Sequence, residues 1–176
     1  MSAARWIALV LIVAACMSTR FLQLPNIAAI GAMTVFCGAM LPQRRWAVAI
    51  PLVAIFISDC FLGLYSLLPV VYASHAFNVL LGRWIARRGK VGTGLAATLI
   101  GSVQFFLVTN FAYFASGLYY PLTWKGFVEC YAMALPFFRY SLAGDAAFAV
   151  VLFGSFALAE AAIPAIRTRS TAASSR

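Results

Sequence analysis

An all-α membrane protein, a bundle of about six transmembrane helices with both termini in the cytoplasm, is the fold that three observations predict. The first is composition: 64% of the 176 residues are hydrophobic and only 10% are charged, with a mean hydropathy of +0.95. A soluble domain carries about 25% charged residues. The second is the spacing of breaks, which divides the chain into six apolar runs. The third is the placing of the 13 Lys and Arg residues at the ends of those runs. A net charge of +9 would also suit a nucleic-acid binder. No basic stripe with interleaved aromatics marks one face, however, so nucleic acid is not an expected partner.

A helix needs about 20 apolar residues to cross the hydrocarbon core, somewhat fewer when its flanks snorkel. The six segments run from Trp6 to Met17, Ile27 to Leu41, Trp46 to Tyr65, Pro69 to Ile85, Gly94 to Ser116 and Leu142 to Ile166. Breaks fall at Leu24-Pro25-Asn26, Pro42-Gln43-Arg44-Arg45, Leu67-Leu68-Pro69 and Arg87-Arg88-Gly89-Lys90. A long connection, 117–141, separates the last two segments. Within it Ala132 to Phe138 is apolar but too short to cross, which predicts a surface or re-entrant segment. Ala28, Ala32 and Gly38-Ala39 give the second segment a small-residue surface suited to close helix packing. Residues 1–167 read as a single transmembrane domain, and 168–176, rich in Ser, Thr and Ala, as a disordered cytoplasmic tail.

Basic residues concentrate on the cytoplasmic side of membrane proteins. With both termini inside, Arg5, Arg44, Arg45, Arg83, Arg87, Arg88, Lys90, Arg167, Arg169 and Arg176 lie inside, against Arg20, Lys125 and Arg139 outside. That asymmetry sets the orientation of the bundle, with lipid as the surrounding partner.

The same orientation brings the scattered polar residues to one end. Asp59 lies late in an outward-running helix and His75 early in the next. Asn110 is late in the fifth segment, Asp145 early in the sixth, and Arg139 and Asn26 lie in outer connections. A carboxylate inside a membrane helix is costly without a partner or water. Asp59 and Asp145 are therefore candidate ligand groups, with Arg139 as the natural partner of either. Each also has a plain structural role: Asp59 in an ion pair, Asp145 complementing the dipole of a helix start. His75 and Asn110 are equally consistent with packing and interhelical bonding. Of 26 aromatic residues, 13 lie between Phe105 and Tyr140. Tyr113 and Tyr119 suit either the walls of a pocket or an interfacial belt.

The four cysteines show no metal-ligand spacing, and no cofactor or metal is expected. Val13-Ala14-Ala15-Cys16 leaves a lipoprotein-type cleavage before Cys16 as the alternative to an uncleaved first helix. No G-x-x-x-x-G-K-[ST] is present, so the chain does not carry that route to ATP hydrolysis.

Several of these motifs together carry a resemblance. Pro25-Asn26 leads into an Ala/Gly-rich helix, and Ser58-Asp59 is followed by Gly63. Val108-Thr109-Asn110-Phe111 and Leu135-Pro136-Phe137-Phe138-Arg139, with Gly144-Asp145, complete the pattern. It resembles a family of small bacterial membrane proteins, described as transport proteins of unassigned substrate, over approximately residues 20 to 160. That family is distantly similar to the substrate-binding S components of energy-coupling-factor (ECF) vitamin transporters. The resemblance implies an S-component-like six-helix bundle with a pocket beneath the first, third and fifth loops. It also implies a partner, an ECF energising module of transmembrane and ATPase subunits. S components dock that module through Ala-x-x-x-Ala-x-x-x-Ala on the first helix; Ala4 and Ala8 fit, and Ile12 departs.

The expected function is therefore uptake of a small vitamin-like micronutrient, without enzymatic activity. Asn26, Asp59, His75, Asn110, Tyr113, Tyr119, Arg139 and Asp145 form the expected substrate site. Two alternatives remain: a structural or assembly subunit, and an intramembrane enzyme whose Asp59 and Asp145 form a carboxylate dyad.

Overall fold

The computed structural model describes residues 3–22, 29–86 and 90–163. Asn26, the Arg87-Arg88-Gly89 break and the 168–176 tail fall outside the described residues. Within them the chain is all-helical, with no strand: α1 (Ala3–Ser18), a 3-10 turn (Thr19–Leu22), α2 (Ile30–Met40), α3 (Arg44–Leu62), α4 (Leu68–Ile85), α5 (Val91–Ala115) and α6 (Trp124–Ala162).

Four stretches are long and apolar enough to cross a membrane: Ala3–Phe21, Arg44–Leu62, Val91–Ala115 and Trp124–Ala162. Only 28–33% of the residues in their most apolar windows are buried, so most of these side chains face outward. Leu11, Val53, Phe56, Phe61, Val151 and Leu158 are among them. An apolar surface of that extent is stable against lipid and not against water. The chain is a multi-pass membrane protein.

The other two helices form the centre. Eight of the eleven residues of α2 are buried. At about 1.5 Å per residue α2 is about 17 Å long, roughly half the hydrocarbon thickness. It packs against α4 so closely that two backbones touch. A methyl group added at Gly38 would strike the Val79 carbonyl, and one added at Gly82 would strike the Val35 carbonyl. The contact is reciprocal, with each helix offering a glycine to the other's carbonyl. Arg83 then bonds the carbonyls of Leu41 (3.2 Å) and Pro42 (2.8 Å), just beyond the end of α2. Both helices therefore finish at the same end of the bundle. Phe36 of α2 meets Phe153 and Phe156 of α6 edge-on, each at 5.3 Å. An Arg5–Glu160 ion pair joins the start of α1 to the end of α6.

At the opposite end α3 stops at Gly63, whose φ of 110° is open to glycine and strained for other residues. There the connection between α5 and α6 is much shorter than the sequence suggested. It spans 116–123, and the segment expected to be re-entrant, Ala132 to Phe138, lies inside a 39-residue α6. Residues expected to lie in the 117–141 connection are built into the helix. Lys125 and Glu129 pair one turn apart at 3.8 Å. Pro136 withholds one backbone N–H, yet the helix continues across it. Rings anchor this part of α6 on α5, with Phe106 stacked on Phe138 at 4.3 Å and edge-on to Tyr131 at 5.6 Å.

Candidate ligand site between α4, α5 and α6

The helices α5 and α6 run antiparallel, but not at even pace. Between the Ser102–Asp145 bond and the Asn110–Cys130 contact, α5 advances 8 residues and α6 advances 15. At 1.5 Å per residue these are paths of about 12 and about 22 Å between neighbouring points. Pro136 stands midway along the longer path. Beside it lies a cavity of about 450 Å³, lined by α4 and α5, by the part of α6 around Pro136 and by the first residues of α2.

His75 and Asn78, one turn apart on α4, face this cavity and are 5% and 1% exposed. Neither His75 Nδ1 nor Asn78 Oδ1 has a hydrogen-bond partner among the described residues. Buried polar atoms of folded proteins are almost always bonded, and leaving one unmade costs about 1–3 kcal/mol. The His75 ring lies against Phe105 at 5.0 Å. Asn78 presses on Gly101, where an added methyl would come within 2.7 Å of its Oδ1.

Asp145 enters from α6 and is 8% exposed. Ser102 Oγ donates to its Oδ2 at 2.6 Å, and the Ala32 N–H donates to its Oδ1 at 3.3 Å. Asp145 stands 21 residues into α6, not in its first turn, because α6 begins at Trp124. The helix start it complements belongs to α2, whose own N-cap residue, Ala29, supplies no side-chain bond. Asn110 lines the cavity with its amide nitrogen donating back to the Phe106 carbonyl at 2.8 Å.

Asp59 belongs to a different network. Its Oδ2 accepts from Tyr72 at 2.6 Å. Its Oδ1 lies 2.7 Å from Arg20 Nη2, an ion pair not aligned as a hydrogen bond. Arg20 also reaches Ser58 Oγ and, at 3.4 Å, the Ile55 carbonyl. The 3-10 turn after α1 aims Arg20 inward, so Arg20 rather than Arg139 is the partner of Asp59. Arg139 is exposed, its guanidinium over the Tyr140 ring at 4.8 Å. In the loop beyond α3, burial pushes the Tyr65 hydroxyl pKa up; the Asp59 carboxylate adds to the rise and Arg20 opposes it.

His75, Asn110 and Asp145 thus share one cavity, and Asp59 and Arg139 lie outside its lining. Tyr113 and Tyr119 stack on each other at 4.5 Å beside the 116–123 connection, also outside it. Sequence reading did not single out Asn78 and Ser102. The spacing of Asn78, three residues after His75 on one helical face, was the available signal. Among the described residues no three His, Cys, Asp or Glu side chains are grouped to hold a metal, and all four cysteines are free thiols.

Residues 1–166 match a family of unknown function (DUF6580), and the chain belongs to that family. No curated protein and no solved structure gives a significant match.

Proposed function

We propose that this member of the DUF6580 family is an uptake protein of the bacterial inner membrane, both termini cytoplasmic, that binds a small vitamin-like molecule in the α4–α5–α6 cavity. One observation carries the reading: His75 and Asn78, whose Nδ1 and Oδ1 have no hydrogen-bond partner among the described residues, line with Asp145 a cavity of about 450 Å³. That volume lies within the roughly 300–1,000 Å³ of small-molecule pockets. A structural subunit would gain stability by bonding or replacing both atoms. A ligand that draws the two side chains toward the cavity supplies the bonds that the fold withholds.

The half-length α2 favours the same reading. A helix that begins inside the bundle, next to a binding cavity, is a recurring device of membrane transporters. So does the resemblance to S components, with six helices and a pocket beneath the loops. Substrate would enter from the side of the 62–68 and 116–123 connections and leave inward as the bundle moves. Energy would come from an ECF-type module or from the substrate gradient. The enzyme alternative requires a carboxylate dyad. Asp59 and Asp145 instead sit in separate networks, each with its own donors.

Native mass spectrometry of protein purified gently from its own host tests the proposal. A retained small molecule is expected, lost in Asn78→Leu and kept in Tyr72→Phe, which touches only the Asp59 network. An empty protein whose melting temperature ignores a panel of vitamins and cofactors would instead favour an assembly role.

A further inference from the structure

We infer that the cavity selects a small organic cation, a protonated amine carried on a flat apolar body; the inference rests on the ligand-site reading above. The charge balance of the molecule points there. Of its four acidic residues, three face a base: Glu160 pairs with Arg5, Asp59 with Arg20 and Glu129 with Lys125. Asp145 has no basic partner among the described residues. Its two bonds come from neutral donors, one of them long at 3.3 Å. The Ser102 hydroxyl is itself shared, because the Thr98 carbonyl lies 2.9 Å from the same oxygen and a hydroxyl has one proton to give. The start of α2 offers at most about half a positive charge. A carboxylate so buried in a membrane protein calls for a counter-charge, and the cavity is where one fits.

The remaining lining agrees. His75 and Asn78 add neutral polar side chains, each with a polar atom still without a partner, and no Lys or Arg among the described residues lines the space. Arg20 is held by Asp59, and Arg139 lies exposed against Tyr140. An anionic ligand would meet a carboxylate and no cation. A cation would meet Asp145, Asn78 and the rings of Phe105, Phe106, Phe137 and Phe138, and aromatic rings attract positive charge through their quadrupoles.

Matched probes separate the cases. The full chain in detergent is melted with phenethylamine and tryptamine, and in parallel with phenylacetate and indole-3-acetate, which keep the ring and reverse the charge. The amines are expected to raise the melting temperature saturably and the acids to leave it unchanged. In Asp145→Asn the half-saturating amine concentration rises on the order of tenfold or more, and in Tyr72→Phe it stays as it was. Stabilisation by the acids, by neither set, or by amines equally in Asp145→Asn overturns the cation assignment. A neutral or anionic molecule found on the native protein does so too, while keeping the ligand-site reading. A protein that retains nothing and responds to neither set loses both.

Discussion

The carboxylate of Asp145 fills the space that a side chain on Gly31 would occupy: a methyl group added there would come within 2.5 Å of both carboxylate oxygens. The first turn of α2 and the middle of α6 are thereby fitted to each other, and the Ala32 N–H reaches Asp145 because nothing stands between them. Gly31→Ala must push the carboxylate aside or lift α2 away. Overpacking of this kind costs about 1–3 kcal/mol. A lower melting temperature is expected, with a weaker amine response than the stability loss alone accounts for. A variant that binds as wild type would show that Asp145 moves freely.

The reciprocal glycine contacts between α2 and α4 make a harder prediction. The far side of each contact is backbone, which cannot rotate away as a side chain can. Gly38→Ala and Gly82→Ala should each destabilise by at least about 3 kcal/mol, the upper part of the range for an overfilled core. Because the two sites share one interface, the double variant should lose less than the sum of the singles. Thermal or denaturant unfolding in detergent measures all three. Near-neutral effects would mean that the two helices are not held this close.

The Arg20–Asp59 pair stabilises through what its loss would expose. Asp59 is 1% exposed, so Arg20→Ala strands a buried carboxylate, at a cost of about 3–5 kcal/mol. Replacing both groups, Arg20→Met with Asp59→Leu, should be milder than Arg20→Ala alone. Tyr72→Phe removes one hydrogen bond and should cost about 1 kcal/mol. Unfolding of the four proteins side by side gives the order, and a double variant worse than Arg20→Ala would contradict it.

These relationships were unevenly legible in the sequence. Apolar runs with charged flanks are local features, and they located α1, α3, α4 and α5 to within a few residues. The first half of α6 was not legible. Ala132 to Phe138 is too short to cross by itself, and its continuity with a helix starting at Trp124 shows only once the Thr123 cap and the rings of α5 are in place. The polar residues were divisible into two groups only in three dimensions. Arg20 stands 38 residues from Ser58, and the turn that aims it inward has no signature. Asn78 and Ser102 look like ordinary packing residues until α5 sets Gly101 against Asn78 and Ser102 against Asp145.

Pro136 gives the last prediction, because it stands between Ala134 and Phe137 in the part of α6 that lines the cavity. Pro136 cannot donate to the carbonyl one turn before it, so α6 lacks a restoring bond where it leaves α5. Pro136→Ala supplies that bond, and alanine is the better helix former by up to about 3 kcal/mol. The variant should therefore melt higher than the wild type. A straighter α6 also draws Ala134, Phe137 and Ser141 toward Phe105 and Thr109, narrowing the cavity between them. Ligand retention and the amine response should fall as stability rises, an opposition that simple damage to the fold cannot produce. If both rise together, the stacking of Phe138 on Phe106 keeps the cavity open without the proline.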